Sequence, residues 1–277
     1  MYERILIPLD GSGLSEQALP YVNLLGKSLH ARIELLRVYG TMSIGIGNNR
    51  DQAREYVNDI KGRLEADGLG VSAAALEGNP ASLIVSEAQR GANTLIAMST
   101  RARMGIARWI LGSVTDEVLR ATSNPLLLVR SRDQDGSHYQ AGLRSIIVPL
   151  DGSPLAEQIL PHAVSLAQTL DLSVTLVRVV PDDQEDDSKD YLSGIAGRLH
   201  IQGVNPVEQL ILRGHAGQAI IEVAQGMDEH LLAITTHGRS GVGRVMRREG
   251  DTLMLGSIAD RMVKHSGGPV LILNTAG

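Results

Sequence analysis

The chain carries the stretch ILIPLDGSGLSEQALP at residues 5–20 and repeats it as IIVPLDGSPLAEQILP at residues 146–161. Each copy is an apolar run that ends in Leu-Asp-Gly-Ser and continues into a segment with apolar residues at helical spacing. This pattern predicts a buried strand that leads directly into a helix. Because the whole pattern occurs twice, it also predicts a duplicated fold.

The duplication extends beyond the opening stretch. Each copy closes with a Gly-Ser pair, at Gly112 and at Gly256, followed by a proline-led apolar run. Shorter matches lie between these ends: Leu76-Glu77-Gly78 with Leu212-Arg213-Gly214, and Ser99-Thr100 with Thr235-Thr236. The polar stretch SRDQDGSHYQAG separates the copies and is typical of a linker. We therefore predict one domain over residues 1–131, a linker over 132–142 and a second domain over 143–277.

Composition excludes several classes of function. The 277 residues include no cysteine, which excludes disulfides and thiolate metal sites. A formal net charge of −5 argues against a general nucleic-acid or anionic-membrane surface. We find neither a leader-like N-terminal segment nor an apolar stretch long enough to span a membrane, so a cytoplasmic protein is expected.

Strands and helices are predicted to alternate in each copy. In the first copy the strands are predicted at 4–9, 33–38, 71–76, 94–98 and 126–129, and the helices at 13–29, 51–66, 81–89 and 113–121. Alternation of this kind predicts a doubly wound sheet of five parallel strands with helices on both faces, present twice. Ligands of such sheets bind beyond the carboxyl ends of the strands, where the strand order reverses. The site is therefore expected at the loops after Leu9, Val38 and Met98, and at their counterparts.

Two loops at that edge have suitable chemistry, and each has an ordinary structural explanation as well. Asp10 can accept a hydrogen bond from an amino group such as the exocyclic amine of adenine, or it can help Ser12 to cap the next helix. Ser153 followed by Pro154 fits an N-cap and first helical position in the second copy. Gly112-Ser113 opens a helix whose free amides suit phosphate, although Gly-Ser helix starts are common.

These residues resemble the universal stress protein family in its tandem two-domain form. The resemblance lies in Pro8-Leu9-Asp10-Gly11-Ser12, in the closing strand and in the loop that ends at Gly112-Ser113, and it covers nearly the whole chain twice. It implies a flavodoxin-like, adenine nucleotide alpha hydrolase-like fold. The implied ligand is ATP, with or without Mg, or else AMP or ADP. In such tandem proteins the closing strands, here Leu126–Val129 and Val270–Leu273, pair as an intramolecular pseudo-dimer, which leaves a further homodimer open.

The resemblance also implies two sets of cofactor-binding residues. In the first copy they are Pro8, Asp10, Val38, Ser99, Ala102, Gly112, Ser113, Val114 and Thr115. In the second copy they are Pro149, Asp151, Val179, Thr235, Gly238, Gly256, Ser257 and Ile258. The first copy has Ala102 where the family has glycine. The second keeps that glycine but places seventeen residues, 239–255, where the family has nine.

Three hypotheses of different classes remain open at this point. The first is an ATP-binding protein with a regulatory role in a stress response. The second is an interaction module whose degenerate sites hold no nucleotide, which the two departures motivate. The third is a slow ATPase or nucleotidyl transferase, and it is the weakest because neither a general base nor a phosphate-binding lysine is visible. No catalytic residue and no metal ligand is predicted, and the acidic run at residues 182–187 is expected to be a solvated loop.

Overall fold

In a computed structural model, the chain forms two compact units, Met1–Gly142 and Leu143–Gly277. The structure describes residues 1–40, 50–100, 112–130, 141–181, 188–237 and 257–275. Each unit has a sheet of five parallel strands, so the predicted fold class is confirmed. The division into domains and the bounds of the linker stay a prediction.

The first unit has the strand order β3-β2-β1-β4-β5. Its strands are β1 (Arg4–Leu9), β2 (Arg32–Tyr39), β3 (Val71–Glu77), β4 (Thr94–Thr100) and β5 (Leu126–Arg130). Its helices are α1 (Gly13–Glu16), α2 (Leu19–Leu29), α3 (Arg50–Ala66), α4 (Pro80–Gln89) and α5 (Ser113–Ala121). Strand order reverses between β1 and β4, which makes this boundary the switch point of the sheet.

The second unit repeats this arrangement in the order β8-β7-β6-β9-β10. Its strands are β6 (Ser145–Pro149), β7 (Ser173–Val180), β8 (Val207–Arg213), β9 (His230–His237) and β10 (Val270–Thr275). A 3-10 turn (Ala156–Ile159) precedes the helices α6 (Leu160–Leu170), α7 (Ser188–Ile201), α8 (Ala216–Gln225) and α9 (Ser257–His265). Here the switch point lies between β6 and β9.

One helix that the sequence predicts as continuous is divided in the structure. The sequence pattern predicts a single helix over 13–29, but α1 ends at Glu16 and α2 begins at Leu19. Pro20 explains the break, because it has no N–H to donate to the carbonyl of Glu16 and its ring clashes with that carbonyl. Pro161 occupies the same place after the 3-10 turn of the second unit.

The central strand of each unit lies at the centre of its core. Ile5, Leu6 and Ile7 of β1 are at most 1% exposed, and residues 146–148 of β6 are fully buried. Burying a large aliphatic side chain contributes about 1.5–3 kcal/mol, so these strands form a firm base for the loops at their ends. Among the helices of the described ranges, none has both the length and the apolar character needed to cross a membrane.

We predict that His162 makes the second unit sensitive to acid. Burial in α6 lowers the pKa of His162 below its usual 6.5. The unfolded chain therefore binds a proton more readily below pH 6.5, so this contribution to stability is complete above that pH and is lost as the pH falls. The first unit has Tyr21 at the equivalent position, which makes His162→Tyr a natural comparison. Urea unfolding at pH 7.5 and pH 5.5 should show a smaller acid loss in the variant, and an equal loss would contradict the assignment.

Candidate functional site

Each unit has a cavity at the switch point because two neighbouring strands separate there. β1 pairs with β2 along its whole length, from Arg4 to Leu9, but its register with β4 covers only Arg4–Leu6. β6 likewise pairs with β9 only over Ser145–Ile147. The carboxyl ends of the strands therefore diverge and leave space between the loops. The cavities measure about 260 Å³ in the first unit and about 310 Å³ in the second.

The cavity of the first unit gathers the residues implied for its cofactor site. Its lining includes Pro8, Asp10, Val38, Ser99, Gly112, Ser113, Val114 and Thr115. The structure therefore brings together the loop after β1, the end of β2, the end of β4 and the first turn of α5. Ala102, the ninth residue of the set, lies outside the described residues. Arg37 and Ile84 also line the cavity and were not predicted.

The cavity of the second unit contains half of its implied set. Pro149, Asp151, Val179 and Thr235 line it. Gly238 and Gly256 lie outside the described residues, and Ser257 and Ile258 are the first two residues of α9. The remaining described lining is mostly apolar: Leu150, Leu155, Ala156, Val177, Ala216, Ile220, Ile234, Ala259 and Met262, beside Ser153 and Thr236. Its described walls therefore favour a flat apolar group.

The aspartate loops have the same hydrogen bonds in both units. The Ser12 amide donates to Asp10 Oδ1 over 2.9 Å, and the Ser153 amide donates to Asp151 Oδ1 over 2.9 Å. The two serines also accept from the backbone after each loop: Ser12 Oγ accepts from the Ser15 amide at 3.3 Å, and Ser153 Oγ accepts from the Ala156 amide at 3.1 Å. Ser12 is therefore the N-cap of α1, as expected. The prediction of Ser153 as N-cap and Pro154 as first helical position is wrong, because the 3-10 turn of the second unit begins at Ala156 with Leu155 as its N-cap. One oxygen of each aspartate shapes its turn, while the residue itself is exposed at the cavity.

The start of α5 offers the first cavity a group of backbone amides. The N-cap, Gly112, has no side chain to bond them. The first amides of a helix have no partner within the helix and lie at the positive end of its dipole. Because Ser113, Val114 and Thr115 line the cavity, this end of it suits an anion such as phosphate.

The equivalent hydroxyls at the ends of β4 and β9 differ between the units. Ser99 Oγ donates to the carbonyl of Leu14 over 2.6 Å and so helps to hold α1 against β4. Thr235 Oγ1 is buried and has no hydrogen-bond partner within the described ranges. Ser99 therefore has a structural role, whereas Thr235 leaves a polar atom without a partner among the described residues.

A network of side chains lies beside each cavity, and the sequence pattern had not predicted it. Glu16 accepts from Tyr56 Oη at 3.1 Å and from Arg63 Nη1 at 3.2 Å. In the second unit, Glu157 accepts from Tyr191 Oη at 3.1 Å and from Arg198 Nη2 at 2.7 Å. Burial and the charge of Glu157 raise the pKa of Tyr191 to about 12. The available signal was the pattern Tyr-x-x-x-Ile-x-Gly-Arg-Leu, which begins at residue 56 and again at residue 191.

Metal binding finds no support in the part of the chain that the structure describes. Those residues contain no cluster of three or more His, Asp or Glu side chains arranged to hold an ion. The acidic run at residues 182–187 lies outside them.

Comparison with known proteins identifies the family. The sequence model of the universal stress protein family matches residues 1–130 and again 142–274. The chain belongs to the universal stress protein family. A universal stress protein of Methanocaldococcus jannaschii is 28% identical over 141 residues, which is 47% of this chain and 83% of the relative. One from Synechocystis is 22% identical over 300 residues and covers 97% of this chain and 99% of its own length.

The fold of the whole chain is also found in a solved universal stress protein. A crystal structure from Archaeoglobus fulgidus superposes with a TM-score of 0.80 at 20% identity, and the match covers 99% of both chains. The resemblance predicted for this chain, including its tandem form, is therefore confirmed.

We predict that the glycine of each aspartate loop resists substitution, and more strongly in the second unit. Gly11 and Gly152 have φ of +80° and +86°, a region that costs a residue with a side chain about 1–2 kcal/mol. A Cβ at Gly152 would also lie 2.5 Å from Arg178 Nη1, whereas one at Gly11 would lie 3.5 Å from Arg37 Nη2. Because Arg178 would have to move away from the Tyr191 ring to make room, Gly152→Ala should lower the free energy of unfolding more than Gly11→Ala does. Urea denaturation of both variants checks the order, and equal losses would contradict it.

Proposed function

We propose that this universal stress protein binds ATP and acts as a regulatory stress-response protein rather than as an enzyme. The observation that carries the proposal is the make-up of the first cavity. Its lining combines a carboxylate, apolar side chains and the open N-terminus of α5. An adenine nucleotide has matching chemistry, with an amine on the base, a flat apolar ring and a chain of phosphates.

The base would lie against Val38 and the apolar wall, with the carboxylate of Asp10 accepting from its exocyclic amine. Guanine carries a carbonyl in place of that amine, so an aspartate at this position favours adenine. The cavity volumes lie at the small end of the range for ligand pockets. This size suits the nucleoside part, with the phosphates lying along the first turn of α5. Mg would be held through the phosphates, since Mg sites with nucleotides use few protein ligands.

The lining favours binding over turnover. Neither cavity has a histidine or a lysine among its described lining residues. Attack on a phosphate is normally assisted by a base that orients the nucleophile and by cations that neutralise the developing charge. Arg37 is such a cation in the first cavity, but Asp10 is assigned to the adenine, which leaves no second carboxylate among the described lining residues. A slow ATPase is therefore the weaker proposal, and AMP or ADP remains compatible with the same contacts.

The proposal also includes the cellular location of the protein and the pairing of its two units. A cytoplasmic location and an intramolecular pseudo-dimer of the two units, formed through β5 and β10, stay predictions. Tandem fusion would then provide within one chain the symmetric contact that single-domain relatives make as dimers.

The nucleotide-free alternative is favoured by observations at the first site. Ser99 already donates its hydroxyl to Leu14, and the sequence has Ala102 in place of the family's glycine. This alternative predicts that the protein purifies without bound nucleotide and that neither unit binds ATP when it is added.

We predict that Mg-ATP stabilises the protein through Asp10 and Asp151. At one hundred times the dissociation constant, a bound ligand adds about 2.7 kcal/mol to the free energy of unfolding. Asp10→Asn and Asp151→Asn keep the Oδ1 acceptor for the turn but replace the second oxygen with a donor, which cannot accept from adenine. Each variant should lose one site in calorimetric titration, and the double variant should lose the thermal shift.

Matched controls are available on the surface of each unit. Asp59→Asn and Asp228→Asn change exposed carboxylates that do not line a cavity, and both should bind as the wild type does. A wild-type protein with no shift in Mg-ATP, and with no excess absorbance at 260 nm after purification, would overturn the proposal.

We also predict that Ala102→Gly strengthens nucleotide binding by the first unit. Glycine allows close approach of the backbone and positive φ, both of which a methyl group hinders. Titration in an Asp151→Asn background isolates the first site. Unchanged or weaker affinity would show that Ala102 is not the residue that limits this site.

A further inference from the structure

An arginine on the second strand of each unit lies against the aspartate loop. Arg37 Nη1 donates to the carbonyl of Leu9 at 3.5 Å, and its guanidinium lies beside Gly11. Arg178 has the equivalent position beside Gly152, so close that a Cβ there would lie 2.5 Å from Nη1. In both units the guanidinium therefore lies against the loop that presents Asp10 or Asp151.

The aromatic residue of the neighbouring helix holds this arginine in the second unit. The Cζ of Arg178 lies 4.9 Å from the centre of the Tyr191 ring, within cation–π distance. Tyr191 is held in turn by Glu157, which also pairs with Arg198. We call Arg178, Tyr191 and Glu157 the arginine clamp. The first unit has the same clamp residues in Arg37, Tyr56 and Glu16.

The residues of the clamp are the same in the two units, although other positions of the two strands differ. On β2 and β7, Glu34 corresponds to Thr175 and Tyr39 to Val180. A half-buried arginine at the end of a strand is not needed to fill the core, since the aliphatic residues of β2 and β7 already do so. Retention of all three residues in both copies points to a shared role at the loop.

The clamp acts on the side of the cavity where the base would lie. The charges of Arg178 and Asp151 both influence the pKa of Tyr191, which places the three groups in one electrostatic neighbourhood. Arg37 also lines the first cavity together with Asp10 and Val38. A shift of the guanidinium would therefore move the aspartate loop.

We propose that Arg37 and Arg178 are positioning residues that set base specificity, each by fixing the aspartate loop so that its carboxylate meets the exocyclic amine of adenine. This inference rests on the proposed nucleotide binding. It differs from a merely structural role in one measurable way. Loss of structure weakens ATP and GTP binding alike, whereas a displaced aspartate weakens ATP binding alone.

The test measures the ratio of the dissociation constants of GTP and ATP by calorimetry. An Asp10→Asn background leaves only the second site. There the wild-type clamp should prefer ATP. Arg178→Lys, which keeps the charge but not the planar fork, should lower the ratio about tenfold, the value of a weak hydrogen bond to a charged group. Arg144→Lys is the control in this unit, because Arg144 is an exposed arginine paired with Glu229 away from the cavity.

If Arg178→Lys does not fold, two variants of Tyr191 provide the same test. Tyr191→Phe retains the ring beneath the guanidinium and should keep most of the preference for ATP. Tyr191→Leu removes the ring and should lower the ratio as Arg178→Lys does. The mirror experiment uses Arg37→Lys in an Asp151→Asn background, with Arg90→Lys as its control.

The outcomes separate this inference from the proposed function. An equal loss of ATP and GTP affinity, or an unchanged ratio in both Arg178→Lys and Tyr191→Leu, overturns the clamp proposal and leaves nucleotide binding intact. A wild-type site that binds ATP and GTP equally also overturns the clamp proposal and leaves nucleotide binding intact. A wild-type protein that binds neither nucleotide overturns both proposals.

Discussion

The partial pairing of β1 with β4 is the constraint on which each site depends. β1 is held along its full length by β2, while its register with β4 stops at Leu6. The first residues of β1 are thus fixed on both sides, and its last residues are free to turn away from β4. β6 and β9 separate in the same way. The cavity is therefore a consequence of strand order: chain connections run outward in opposite directions from this boundary, and no crossover fills the gap.

The loop that enters this gap is fixed from two directions. Its own hydrogen bonds, from the Ser12 amide to Asp10 and from the Ser15 amide to Ser12, hold the turn from within. A guanidinium on the neighbouring strand holds it from behind, and the left-handed glycine makes room for that contact. A side chain at the glycine position would strain the backbone in both units, and in the second unit it would also displace the arginine. The left-handed conformation of this residue explains why Leu-Asp-Gly-Ser, rather than the aspartate alone, is common to both copies.

Local patterns predicted most of the fold, and contacts between distant segments account for what was missed. The strands and helices of the first copy follow from apolar periodicity, and their predicted bounds are within two residues of the observed ones, apart from the break before Pro20. The lining of the first cavity followed from strand order together with the family resemblance. Arg37 did not, because its place beside the loop depends on the register of β2 against β1, which pairs it with Leu9. Tyr56 did not, because its contact with Glu16 joins α3 to α1, which no periodicity encodes. Only the repetition of both residues in the second copy could have indicated them.

The carboxyl ends of the buried strands take part in both the core and the cavity. Leu9, Leu36 and Met98 are buried core residues that also line the first cavity, whereas Asp10, Ser12 and the first turn of α5 lie beyond the strand ends. Ser99 satisfies its hydroxyl within the first unit, but Thr235 leaves a buried hydroxyl without a partner among the described residues. An unsatisfied polar atom of this kind costs about 1–3 kcal/mol. The aspartate turns are held by the same hydrogen bonds in both units, so the difference between the two cavities lies in their other described walls.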